Sequence, residues 1–350
     1  MPRRAALSLS LLAAGASVAT SLGAQVLGGR YAHAWLSASP SAQATALGGW
    51  QIRLDGDDPA LAGFNPAALN ANTHAVAHLS HDFGAGGVGR SVAAGGYHLD
   101  GLDADVAASV RFVGYGDLVG RDAAGNPEGA FNAREYAIGL AFAKTLNARV
   151  RAGAQLSYVG GSIAEFTSGG VAVSAGLTYS PDTAGATVWA LQLQHAGYLW
   201  NRYTDRRDPL PAELSFGVSR RLRYLPLRVG VLYRRLDRWD LLYDDPERRE
   251  SDGFFGDEPT ERGAASEFVD NLARHFALNA ELYLGRREVV QLRAGYDHQR
   301  QREGRVEQFR SLAGFSFGLG LNLRRVRVDY GRGVQHLAGG QNHVGLLLRF

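Results

Sequence analysis

Apolar and polar positions alternate in steps of two along most of this chain. In RVRAGAQLSY, Val150, Ala152, Ala154, Leu156 and Tyr158 alternate with Arg149, Arg151, Gly153, Gln155 and Ser157. In HFALNAELYL, Phe276, Leu278, Ala280, Leu282 and Leu284 share one parity, and in VVQLRAGYD so do Val290, Leu292, Ala294 and Tyr296. Successive side chains on a strand point to opposite faces, so each segment predicts a strand with one greasy and one polar face. Fourteen such segments start near Thr73, Ser91, Asp103, Ala133, Ala148, Gly170, Thr187, Leu210, Pro226, His275, Val289, Ser311, Arg325 and Asn342. Most run roughly eight to twelve residues. A tilted strand needs about 9–11 to cross hydrocarbon, whereas a soluble sandwich strand is nearer five or six.

The connections alternate too. Asp100–Leu102, Leu146–Asn147, Pro181–Ala186, Arg223–Leu225, Arg286–Glu288 and Asn322–Arg324 read as short. Gly114–Asn132, Val159–Gly169, Gly197–Pro209, Asp237–Arg274, Gln299–Gln308 and Gly333–Gln341 read as long. Short turns on one side and long loops on the other predict an all-β protein, a closed 14-stranded antiparallel transmembrane β-barrel. A large soluble β-sandwich is the competing fold, and nothing in it requires that alternation. The last strand, HVGLLLRF, is expected to close the barrel against the first. Its face of Val344, Leu346, Leu348 and Phe350 would then rest on lipid as the insertion signal. The opposite parity of the wall, rich in arginine (Arg149, Arg151, Arg228, Arg234, Arg293, Arg327, Arg349), is expected to face a wet lumen.

Two N-terminal stretches break the pattern. Arg3 and Arg4, an apolar run from Ala5 to Val18 and Leu22-Gly23-Ala24 predict a signal peptide over residues 1–24. The apolar run is short of the roughly 20 residues of a helical span. Residues 25–72 predict a plug: a short helix over Ser39–Leu47 with Pro40 in its first turn, then DGDDPALAGFNPAALN with turn formers at Asp57-Asp58-Pro59 and Asn65-Pro66. Residues 73–350 form the barrel, interrupted by a long loop over 237–274. A lumen this wide needs something to occlude it or it is a channel.

Composition removes whole classes of chemistry. With 45 glycines and no cysteine there is no disulfide, thiolate metal site, thiol catalysis or cysteine-linked lipid. Net charge is +3 with a single lysine, Lys144, so acidic residues nearly balance the arginines and nucleic acid is not an expected partner. Gly84–Gly89 matches GxGxxG, but a strand follows where a dinucleotide site needs a helix. Gly314–Gly318 matches GxSxG, but Ser316 lies inside an alternating strand. His74 and His78 share parity at about 13 Å, too far apart for one ion, with His81 on the other face. No metal, cofactor or catalytic set is expected. A calcium site among Asp244, Asp245, Asp252, Asp257 and Glu258 matches no EF-hand spacing. Trp239, Asp240, Tyr243, Asp244, Asp245 and Pro246, with Phe254 and Phe255 further along, are the candidate partner-binding residues, because aromatic side chains anchor interfaces.

The block LGGRYAHAWLSASPSAQATALGG with DDPALAGFNPAALN, and the block LPAELSFGVSRRLRYLPLRVGVLYRRLDRWDLLYDDP, resemble the PorQ family of type IX secretion outer-membrane proteins. That family and the related PorV group are similar to FadL-like barrels, and the tripeptide Asn65-Pro66-Ala67 is shared across the wider set. The resemblance implies a non-enzymatic outer-membrane scaffold, without cofactor, that holds a PorZ-like surface protein beside PorU and PorV while cargo is processed and anchored. A FadL-type transporter of hydrophobic compounds is the alternative, and it calls for an apolar pocket in the barrel and a lateral opening.

Overall fold

The computed structural model describes residues 30–53, 56–182, 186–242, 264–304, 312–336 and 339–350. Sixteen strands occur among the described residues: β1 (Val76–Phe83), β2 (Gly89–Leu99), β3 (Ala104–Gly114), β4 (Leu118–Arg121), β5 (Pro127–Phe131), β6 (Ala133–Asn147), β7 (Val150–Ile163), β8 (Phe166–Tyr179), β9 (Thr187–Asn201), β10 (Glu213–Arg221), β11 (Leu227–Tyr233), β12 (Phe276–Leu284), β13 (Val290–Asp297), β14 (Phe315–Asn322), β15 (Val326–His336) and β16 (Gly339–Arg349). All but β4 and β5 form one closed antiparallel barrel of 14 strands in sequence order, and β4 and β5 make a separate hairpin in the β3–β6 loop. Closure pairs β1 with β16 from Val76↔Arg349 to Phe83↔Asn342. The Phe350 amide adds a bond to the Ala75 carbonyl at 3.0 Å. No barrel strand is left with an unpaired edge.

Register turns the two-residue period into two faces. Outward positions are exposed and apolar: Leu140 is 67% exposed, and Leu156, Leu278, Leu292, Phe317 and Val344 share that face. Inward positions of the same strands are buried. Leu347, one residue out of phase with Leu346, is only 1% exposed.

Several expected long loops are strand instead. Residues 159–169 continue β7 and β8 as a hairpin turning at Ala164-Glu165, paired through Gly160↔Gly169 to Ile163↔Phe166. Glycine reads as turn punctuation in a sequence, but here it sits in ladder positions where a side chain would collide. A Cβ at Gly160 would lie 2.8 Å from the Tyr136 ring. β9 likewise runs on to Asn201 and β15 to His336. Two helices occupy expected loops: α2 (Ala264–Arg274) and α3 (His298–Glu303), which follow α1 (Ala42–Ala46) in the N-terminal segment. The β11–β12 connection thus carries structure of its own. The residues read as a signal peptide, 1–24, lie outside the described residues.

Candidate functional site

The inner face is built around residues 32–73. Helix α1 is capped by Ser41, whose hydroxyl accepts the Ala44 amide at 3.2 Å. Asn65 accepts the Ala67 amide at 3.1 Å and so caps the short turn Pro66–Ala68, with Pro66 supplying a preset φ in its first position. This turn lies flat on the wall because β7 and β8 carry glycine beneath it. A Cβ on Gly153 would sit 2.6 Å from the Ala67 amide, and one on Gly176 would overlap the Asn65 side-chain oxygen. The segment touches strands all round. Ser80 of β1 donates to the Pro40 carbonyl, Arg111 of β3 to the Leu36 carbonyl, Gln194 of β9 to the Phe64 carbonyl and Ser219 of β10 to the Ile52 carbonyl. It therefore fills the lumen at these levels.

The two sides of that filling differ in chemistry. Against β2, β3 and β6, Ala60, Ala62 and Leu69 pack on Val92, Ala94, Ala107, Ala141 and Ala143. Trp50 and Ile52 pack on Val188, Ala190, Leu232 and Ala277. Against β12–β16, where α1 also packs closely on Gly295, Gly318 and Gly331, the segment meets buried ion pairs. Arg293 donates to Glu281 at 2.7 Å and to Asp329 at 2.6 Å, and Arg327 reaches Asp329 at 2.7 Å. Arg327 and Arg349 both bond Asp57 of the N-terminal segment, and Arg53 donates to Glu281 at 3.4 Å. His78 Nδ1 lies 3.0 Å from Asp58 Oδ1. The arginine face is thus not wet, as its composition suggested. Arg228, Arg293 and Arg327 are buried, because each charge meets a carboxylate or hydroxyl inside the barrel. Arg149 faces solvent in a short turn. Burial pushes the Asp58 carboxyl up, but the His78 ring, Arg327 and the Ala60 amide outweigh it and bring it down to about 2. Asp57 is held low in the same sense, burial being outweighed by Arg327 and Arg349.

The long-loop end carries a second cluster. Glu135 of β6 accepts from the Tyr203 hydroxyl at 3.1 Å and from Tyr115, and His33 Nδ1 lies 2.6 Å from it as an ion-pair contact. His33 Nε2 meets the Ser168 hydroxyl at 3.0 Å. These groups line a cavity of about 250 Å³. Burial and the Glu135 carboxylate raise both phenols well above their usual range. Nothing in the spacing of 33, 115, 135, 168 and 203 announces this cluster; an unpaired carboxyl on an inward strand position was its only signal.

In the β11–β12 connection, Trp239 is half-exposed and packs its ring 5.4 Å from Phe268 of α2 and 5.6 Å from His275. Its carbonyl accepts from Asn271 at 2.8 Å and from His275 at 2.9 Å. Helix α2 turns Asp270, Asn271 and Arg274 inward and leaves Phe268 and Val269 exposed. Asp270 binds Arg274 at 3.1 Å and Arg302 of α3 at 2.7 Å, which ties the two helices. Among the predicted partner residues, Asp240 follows Trp239 on the surface. Tyr243, Asp244, Asp245, Pro246, Phe254 and Phe255 lie outside the described residues. So do the carboxylates of the possible calcium site. Val344, Leu346, Leu348 and Phe350 point outward along β16. The three histidines part company: His74 accepts the His98 amide, His78 faces Asp58 and His81 bonds Ser91. Ser316 is buried inside β14, and Gly84–Gly89 is the β1–β2 turn, followed by strand.

A closed 14-strand antiparallel wall with a greasy exterior and an N-terminal segment inside defines the fold as a β-barrel of the kind that crosses membranes with strands. Solved structures of that kind match along most of their length. The CymD monoaromatic hydrocarbon channel aligns with TM-score 0.51 and 14% identity, over 89% of this chain and 98% of that one. The Pseudomonas putida toluene transporter TodX gives 0.48 and 12%, over 89% and 96%. A Pseudomonas aeruginosa FadL homologue gives 0.46 and 10%, over 89% and 98%. No family model and no curated protein matches the sequence.

Proposed function

We propose that this chain is an exported, integral outer-membrane scaffold of the PorQ kind, which holds a PorZ-like surface protein of the type IX attachment complex at its long-loop face. In this reading residues 1–24 are the signal peptide, 25–72 the plug, and the long-loop end faces outside. The observation that carries it is the exposed aromatic patch of Trp239 and Phe268, held rigid by α2 above a lumen filled with paired charges. A barrel so filled serves as a platform better than as a pore. The test is a mild-detergent pull-down with mass spectrometry. Recovery of a surface protein, and of PorU- or PorV-like barrels with it, supports the scaffold; a barrel recovered alone overturns it.

One observation favours a FadL-type transporter instead. Strand β9 carries two register shifts against β8, between Val173 and Ala175 and between Gly169 and Gly170, and His195 at the first has φ 52°. Bulges re-aim a wall and can open it sideways. A hydrophobic compound retained through purification, and lost when β9 is straightened by deleting His195, supports transport.

A further inference from the structure

The outward wall of the barrel is nearly free of charge, and its few charges have one sign. At outward strand positions among the described residues the charged side chains are Arg134, Lys144, Arg220 and Arg332, with no carboxylate. Lys144 and Arg220 lie at the short-turn end. Arg332 donates to the Asn342 side chain at 2.9 Å. What sets Arg134 apart is its surroundings: it borders a hollow of about 590 Å³ on the outer surface. Gly169 leaves room in that hollow, and Phe112, Tyr136, Tyr158 and Trp200 wall it. The rings form an arc, with centroids 6.0 Å apart for Tyr136 and Tyr158 and 5.9 Å for Tyr158 and Trp200. A charge facing lipid is tolerated near an interface but still lacks a counter-charge there. A guanidinium fits phosphate oxygens two at a time, and aromatic belts sit at headgroup level.

We infer that this hollow binds a phosphorylated lipid of the leaflet at the long-loop end, its phosphate on Arg134 and an acyl chain along Tyr136, Tyr158 and Trp200. The inference rests on the membrane placement proposed above and not on the partner. The full chain is reconstituted in phosphatidylcholine nanodiscs doped with lipid A or with dephosphorylated lipid A, and bound lipid is counted by native mass spectrometry. The expected result is retention of lipid A, about tenfold weaker retention of the dephosphorylated form, and the same loss in Arg134→Gln. Gly169→Phe, which fills the hollow from outside, lowers retention of both forms. Arg332→Gln, on the same rim without a hollow, changes retention less than twofold. Equal effects of Arg134→Gln and Arg332→Gln mean rim electrostatics only and overturn the site, as does retention indifferent to phosphate. A chain that enters no nanodisc, and shows no heat-dependent mobility on gels, fails at the membrane step instead.

Discussion

The N-terminal segment is held on its two sides by opposite means. Toward β2, β3 and β6 it meets alanine, valine and leucine at close range. Toward β12–β16 it meets a chain of buried ions that runs from Glu281 through Arg293, Asp329 and Arg327 to Asp57 and Arg349. The apolar side gains stability from each contact independently and tolerates small errors. The ionic side gains little net energy over a greasy equivalent, because desolvation offsets attraction, but it punishes loss of any one member. The difference teaches that loss of a single side chain is felt most on the ionic side.

Breaking the ionic side gives the largest effect. Arg293 is fully buried and serves two carboxylates. Arg293→Leu leaves Glu281 to the longer contact with Arg53 and Asp329 to Arg327 alone, and is expected to cost about 3 kcal/mol in urea unfolding from lipid vesicles. If the cost is below about 1 kcal/mol, the network carries no such penalty and the contrast collapses. Asp58 is next. Its folded value of about 2 lies below the ordinary 3.8. A lowered carboxyl contributes stability that is fully present above about pH 4 and is lost as pH falls toward 2. That lowering corresponds to about 2 kcal/mol. Asp58→Asn should flatten that acid limb between pH 4 and 2 while leaving the rest of the profile in place. Away from the ion chain, where the segment lies on β8, the expected effect is smaller. Gly176→Ala pushes a methyl into the Asn65 side chain, and overpacking by one carbon costs about 1 kcal/mol, the low end of its range. Its signature is local: faster proteolysis between Asp58 and Thr73 with the barrel's heat-dependent gel mobility intact.

The same contrast explains what could be read in advance. All fourteen barrel strands stand within a few residues of the starts their periodicity predicted, since one face on lipid and one on a filled lumen enforce alternation at every level. The connections were less legible. Gly160, Gly161 and Gly169 read as a loop because glycine is permissive, yet Gly160 and Gly161 answer crowding from Tyr136 and Tyr203. Helix α2 was invisible because its buried side is polar, through Asp270, Asn271 and Arg274, so the usual apolar stripe faces outward. The ion chain could not be assembled from sequence. Glu281 and Arg293 meet only through the register of β12 on β13, and Asp57 meets Arg327 across most of the chain. Arginines seen without partners imply water; arginines seen with them imply packing.

The smallest effect on stability should come from the two ends of the barrel, where the comparison turns from holding the segment to presenting a surface. Trp239 at the long-loop end and Tyr224 at the short-turn end are both exposed aromatics, at 49% and 88%. Trp239 is built in: its ring lies on Phe268 and His275 and its carbonyl is bonded twice. Trp239→Ala removes the ring contacts but keeps the carbonyl bonds, so unfolding should shift by no more than about 1 kcal/mol. Tyr224→Ala should shift it by less than about 0.5 kcal/mol, as at ordinary surface sites. Partner retention separates them. A central aromatic anchor contributes 2 kcal/mol or more, so Trp239→Ala should cut recovery of the surface protein at least about tenfold in the mild-detergent pull-down. Tyr224→Ala should leave it unchanged. If both variants retain the partner fully, the aromatic patch is not the docking face.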